Sequence, residues 1–95
     1  MGLNEAQVIS QALVHARQDL ARRLGVEEQN ITEGSVDPFE FPDAALGAPI
    51  EDEMSAQVIT NGWRITLKAA GKTYEYRASD RQLRLVNFDG KNYRV

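Results

Sequence analysis

Three arginines, Arg64, Arg77 and Arg84, are the residues of this 95-residue chain whose type and spacing could do chemistry. A guanidinium is planar, permanently charged and able to grip a carboxylate or phosphate with two parallel hydrogen bonds. Each arginine stands on the polar alternate of a strand-like stretch. The opposite alternate of the first two stretches holds Trp63, Ile65, Leu67, Tyr74 and Tyr76. If the stretches pair as neighbours, Arg64 lies opposite Arg77 and Arg77 opposite Arg84, so the guanidinium groups form a row. Directly opposed like charges are destabilising, and a row of them asks for a counter-charge. Glu75 stands beside it, and Ile59, Val86 and Phe88 add apolar area to the same face. The chemistry expected of Arg64, Arg77, Arg84, Glu75 and Phe88 is non-covalent recognition of an acidic or anionic partner. The bland alternative, which the sequence alone favours, is a solvated sheet face covered by arginine stems.

The other reactive types do not gather into a pattern. The chain has no cysteine and one histidine. His15 sits near Ala12 and Ala16 on a helical stretch and reads as a boundary residue. Glu51, Asp52 and Glu53 are contiguous, whereas calcium loops need alternating ligands and a bidentate Glu at a fixed offset. Ser10, Ser35, Ser55 and Ser79 lack His and Asp companions at any recognisable spacing. No cofactor, metal site or catalytic centre is expected, and no enzyme.

Four elements must position the arginine row. Residues 4–24 read as an amphipathic helix: Asn4 and Gln7 make a capping box, Arg22 and Arg23 suit the last turn, and Gly25 suits a left-handed cap. Ile9, Leu13, Ala16, Leu20 and Leu24 form its apolar stripe, widened by Val8 and Ala12. Residues 30–41 read as an edge or bulged strand, because Gly34 and Pro38 interrupt Ile31, Val36, Phe39 and Phe41. Residues 42–54 read as a loop, with Asp43 capping one turn closed by Gly47. Residues 55–95 read as an antiparallel meander with turns at Asn61-Gly62, Ala70-Gly71, 79–82 and Asp89-Gly90. Those turns set Val58 against Ile65, Leu67 against Tyr74, Ile65 against Tyr76, and Leu85 against Tyr76. All apolar side chains then share one face, and a slip of one residue would invert it. The expected architecture is a single α+β domain in two layers, the N-terminal helix packed on a four- to five-stranded antiparallel meander sheet.

Charge is unevenly placed. Residues 1–54 carry 11 acids and 3 bases, residues 55–95 carry 3 acids and 8 bases, and −8 with +5 composes the net charge of −3. Nine acids and no base lie between Glu27 and Glu53. That segment reads either as a solvated loop or as a counter-charge for the arginine row, folded over it or reaching it across a symmetric homodimer. The overall balance argues against nucleic-acid binding. The opening MGLNEAQVIS has neither a basic nor an apolar leader region, and no apolar run approaches the roughly 20 residues of a membrane helix. A cytoplasmic setting with no membrane contact is expected.

The stretch FPDAALGAP, followed by AQVITNGWRITLKAAGKTYEYRA, resembles a small uncharacterised bacterial domain family, frequent in cyanobacteria and secreted lipoproteins. Its members read Trp-Pro-Asp-Ala-Ser-Leu-Gly-Cys-Pro, then Gln-Val-Ile-Thr-Pro-Gly-Tyr-Arg-Ile, then Gly followed by Tyr-Glu-Tyr-His. Over Phe41 to Arg77, Phe41 stands for the family's Trp, Ala48 for its Cys, Asn61 for its turn Pro and Arg77 for its His. The missing cysteines suit a reducing compartment. The resemblance implies no known activity. The functional expectation is a small non-enzymatic binding or adaptor module, contacting an acidic protein partner through the exposed sheet face. The alternative is a protease inhibitor-like module that inserts the 42–49 loop in a cleft, where preorganisation lowers the cost of ordering.

Overall fold

The computed structural model describes residues 4–95. Residues 1–3, part of the opening read for a leader, lie outside the described residues. One helix, α1 (Glu5–Leu24), is followed by a short 3₁₀ turn (Glu28–Asn30) and five strands: β1 (Thr32–Phe41), β2 (Thr60–Ala69), β3 (Lys72–Ala78), β4 (Leu83–Phe88) and β5 (Lys91–Arg94). The strands form one antiparallel sheet in chain order, with β1 and β5 at its edges. The fold is α+β.

Local chemistry sets the ends of α1. The Asn4 side chain accepts from the Gln7 amide at 2.9 Å, and Gln7 Oε1 accepts from the Asn4 amide at 3.0 Å. Gly25 closes the helix at φ 69°. The buried stripe is rotated from the expected one. Val8, Ala12, Ala16, Asp19, Leu20 and Ala21 are buried, while Ile9, Leu13 and Leu24 are half-buried. Two alanines at the centre let the helix lie close on the sheet. Asp19 fixes its rotation: the Tyr76 hydroxyl donates to Asp19 Oδ2 at 2.8 Å, and Arg22 and Arg23 donate to the same carboxylate at 2.7 and 2.8 Å. A hydrogen bond to a buried charged group contributes about 1.5–3 kcal/mol. Burial pushes the Tyr76 hydroxyl strongly up, with the Asp19 charge adding in the same sense, so the phenol stays a donor.

The registers of β2, β3 and β4 follow the alternation of the sequence. Leu67 faces Tyr74, Ile65 faces Tyr76, and Tyr76 faces Leu85. Ala70 and Gly71 make the β2–β3 turn with φ 51° and 78°, both left-handed as a type I′ hairpin requires. Ile65, Leu67, Tyr76 and Leu85 are fully buried beneath α1, with Ala16 and Leu20 above them.

The expected turn at Asn61-Gly62 does not form. Both residues lie inside β2, and their cross-strand partners are Glu40 and Phe39 of β1. No regular element lies between β1 and β2, and Val58 and Ile59 are exposed. The partner expected from 55–60 is thus replaced by the 32–41 segment, which sets Val36 rather than Val58 against Ile65. Gly62 is there for close approach. A Cβ at this position would collide with the Ala78 carbonyl oxygen and crowd the Phe41 ring at 3.2 Å.

Gly62→Ala is therefore expected to destabilise the fold by about 2–3 kcal/mol, as overpacking against fixed backbone does. Gly71→Ala, whose Cβ would meet nothing within 4 Å, carries only a left-handed backbone penalty of about 1 kcal/mol. Urea unfolding of the two variants compares them, and a Gly62→Ala cost no larger than that of Gly71→Ala would refute the close-approach account.

Candidate functional site

The sheet brings the arginines together as the alternation predicts. Arg64 pairs with Arg77, Arg77 with Arg84, and Arg84 with Arg94 of β5, so the row has a fourth member. The counter-charges come from the same chain. Glu75 Oε2 accepts from Arg77 Nε at 2.7 Å and from Arg64 Nε at 3.3 Å. Glu53 takes Arg84 in a two-pronged pair, Nη1 to Oε1 at 2.6 Å and Nη2 to Oε2 at 2.7 Å.

Around those pairs the 42–54 segment folds onto the row. Arg77 Nη1 donates to the Leu46 carbonyl at 2.9 Å, Arg84 Nη1 to the Ala48 carbonyl at 3.2 Å, and Gln82 Nε2 to the Ala44 carbonyl at 2.6 Å. Asp43 turns the chain as expected, accepting from the amides of Ala45 and Gly47 at 2.9 and 3.0 Å. Phe41, Ala45, Leu46 and Ala48 are fully buried, apart from the core beneath α1. The later part of the acidic segment is thus a cover whose last carboxylate, Glu53, pairs with Arg84, while its earlier part forms the 3₁₀ turn and β1.

The side-chain exposure of the arginines falls along the row, from 44% at Arg64 to 20% at Arg77 and 3% at Arg84. Arg64 and Arg77 also lie over the Phe39 and Phe41 rings, 5.4 and 5.5 Å from their centroids. Arg84, and most of Arg77, hold the fold together from inside. Phe88 leaves this face altogether. Asn87 adopts φ 51° and the β4–β5 register shifts between Leu85 and Phe88, which turns Phe88 to the α1 side. There its ring packs against Tyr74 and Tyr93, with Arg23 above Tyr93 at 4.3 Å. Ile59 lies in the irregular 55–59 stretch and adds nothing to the row, while Val86 stays beside Glu75.

Two open surfaces meet at β1. One is the outer edge of β1, ten residues of which only Phe41 is buried and only Val36 half-buried. It carries Glu33, Asp37 and Glu40 and no base. A bulge between Glu33 and Val36 bends it, and the Ser35 amide is taken by Thr66 Oγ1 at 2.8 Å. The other adjoins its C-terminal half: a cleft of about 610 Å³ lined by Glu5, Pro38, Phe39, Glu40, Asn61 and Trp63. Trp63 shares the α1-side alternate with Ile65, yet it is only half-buried, because it lies at the N-terminal end of α1 beside Glu5. Sequence reading missed Asp19, whose signal was two arginines three and four residues later, and this cleft, which chain-distant residues build. His15 lines a smaller hollow of about 210 Å³ with Ser79, Asp80 and Arg81. Among the described residues no group of three His, Asp or Glu side chains is placed to hold a metal ion, and no helix is long and apolar enough to cross a membrane.

The Glu53–Arg84 pair makes stability depend on acid. The hydrogen bonds from Arg84 bring the Glu53 carboxyl down from 4.5 to about 2, against the upward push of burial and with help from the Ile50 amide. Burial pushes Glu75 up, but the bonds from Arg77 and Arg64 outweigh it and the net shift is down. A carboxyl with a lowered folded pKa stabilises fully above its unfolded value. That contribution drains as pH falls from 4.5 towards about 2. Glu53→Gln should cost about 3 kcal/mol at neutral pH, since it leaves Arg84 buried without its charge partner. It should also flatten the acid limb of a urea-unfolding series, and an unchanged limb would show that Glu53 does not clamp Arg84.

No curated protein and no solved structure matches the chain significantly. A family described as a domain of unknown function (DUF8738) matches residues 13–86, from the middle of α1 into β4. The match covers the core beneath α1, the 42–54 cover and the first three arginines of the row, and the chain belongs to that family.

Proposed function

We propose that this domain is a small non-enzymatic binding module that takes an extended segment of a partner protein along the outer edge of β1. The observation that carries the reading is the edge itself, a ten-residue strand with eight exposed residues. An uncovered edge strand is a template for an added strand, here with Pro38 offering only its carbonyl and the Ser35 amide already taken by Thr66, so an added strand would bond mainly to the other residues of β1. The arginine row, the first surface suggested by the sequence, supports such a role less well. Arg84 and Arg77 are committed to Glu53, Glu75 and the carbonyls of the cover, which leaves Arg64 as the open member. The inhibitor-like alternative loses its support for a related reason. Ala45, Leu46 and Ala48 point into the protein and offer a protease cleft nothing to grip. The absence of cysteine is compatible with a reducing, cytoplasmic setting.

The edge is shaped against its own copy. Two β1 strands paired antiparallel would set Glu33, Asp37 and Glu40 among their own kind, and opposed like charges disfavour that pairing. A partner of different sequence is favoured over a β1–β1 dimer.

The test is selection of binders from a random peptide library on the folded domain, followed by amide shift mapping. Selected peptides should move the backbone resonances of 32–41, and N-methylation of alternate peptide nitrogens should weaken them about tenfold or more, since each lost backbone bond leaves a partner unmade. Shifts confined to residues 49–54 and 90–94, or binding indifferent to N-methylation, would overturn the reading.

A further inference from the structure

We infer that the cleft between the start of α1 and the β1–β2 edge is a subsite for a cationic side chain, so that the extended segment taken by β1 carries an arginine or lysine there. The inference rests on the edge-docking reading for its partner, and on the cleft alone for its chemistry.

Three features converge on a cation. The cleft is walled by the half-buried indole of Trp63 and by Pro38, which pairs with it across β1 and β2, while the Phe39 ring turns to the opposite face beneath Arg64. Indole is the strongest of the side-chain rings for a cation placed over its face. Two carboxylates, Glu5 from the first turn of α1 and Glu40 from β1, line the same space, and among the described residues no base does. Elsewhere the protein places its own guanidinium groups over rings: Arg64 over Phe39, Arg77 over Phe41, and Arg23 over Phe88 and Tyr93. Among the described residues, the ring of Trp63 has no such cation from within the chain.

The position fits an added strand. Pro38 and Glu40 are both β1 residues, so a segment lying along β1 passes the mouth of the cleft. Side chains of an extended segment alternate, so one residue at the right register can enter while its neighbours continue along the edge. Charge complementarity extends beyond the cleft. From Glu27 to Asp43 the chain carries six acids and no base, so a basic segment is drawn to this edge and an acidic one is repelled. The arginine row expected to seek an acidic partner faces its own cover, and the surface left open on β1 has the opposite preference.

Trp63 is the only tryptophan in the sequence, so intrinsic fluorescence reports the cleft directly. The first arm titrates the folded domain with N-acetyl-arginine methylamide and with its glutamine counterpart. The second titrates it with an acetylated Thr/Val octapeptide holding one central arginine, and with the same peptide holding glutamine or glutamate there, followed by Trp63 fluorescence and by β1 amide shifts. The arginine probes should perturb Trp63 and bind about tenfold more tightly than the glutamine probes, the combined effect of a ring and two exposed carboxylates. In a Glu5→Gln/Glu40→Gln variant that ratio should fall to about twofold or less, while the edge shifts produced by the glutamine peptide persist. Peptides that shift β1 amides with no arginine preference, and an arginine amide that leaves Trp63 unmoved, would overturn the subsite and leave edge docking standing. An arginine amide that moves Trp63 when no peptide shifts β1 would retain the subsite and end the docking reading. Silence in both arms ends both. Concentration-dependent β1 shifts with no peptide present would replace the partner with a second copy, joined through the basic β5 strand.

Discussion

The second layer of this protein depends on one buried charge. Arg84, the second residue of β4, has almost no exposure, and a guanidinium in that position is tolerated only if its donors are met. Glu53 meets two of them, the Ala48 carbonyl a third contact, and Gln82 holds Nε. Glu53 and Ala48 lie on a segment with no strand and only isolated turns. The arginine therefore gives a loop its place: Leu46, Ala48 and Glu53 are fixed because Arg77 and Arg84 require them. What looks in the sequence like an acidic linker is a structural lid, closed from beneath.

The helix side uses the same device more sparingly. Asp19 is a buried carboxylate in an otherwise apolar stripe, and Tyr76 is the residue on the sheet that reaches it. Arg22 and Arg23 bring the neutralising charge from the next turn, and Arg23 also reaches the Tyr93 ring. One polar contact therefore locks helix rotation, sheet position and the β5 aromatic cluster together. Ala12 and Ala16 alone would leave the helix free to roll, since small side chains contribute little shape.

The legible part of the fold was the part written in short-range chemistry. The capping box, the left-handed Gly25, the Ala70-Gly71 turn and the strict alternation of β2, β3 and β4 each specify their neighbours within a few residues. The arginine row followed from those registers. The illegible part was set by distance. Asn61-Gly62 has the composition of a hairpin, yet Phe41 and the Ala78 carbonyl need the space a side chain would fill, and that need comes from residues far along the chain. Phe88 was misplaced because a single left-handed residue, Asn87, adds a bulge that alternation does not announce. The burial of Ala45, Leu46 and Ala48 depends on carbonyls accepting from Arg77 and Arg84, and backbone acceptors have no signature in a sequence. Half of the candidate site was visible as charge, in the acid-rich run without bases. The Trp63 cleft was not, because Glu5, Pro38 and Trp63 meet only once the sheet is built.

The link between β1 and β2 has a consequence for the order in which the molecule assembles. Eighteen residues separate the two strands, and they cross the sheet before β2 begins. The β2–β3 and β3–β4 pairs close over two- and four-residue turns, whereas β1 must wait for a long loop to close at its entropic cost. The three-strand meander therefore closes at the lowest entropic cost, and pairing β1 adds the cost of the 18-residue loop. Pairing β1 with β2 carries the largest loop-closure cost in the sheet, and the long ladder between these two ten-residue strands is what offsets it.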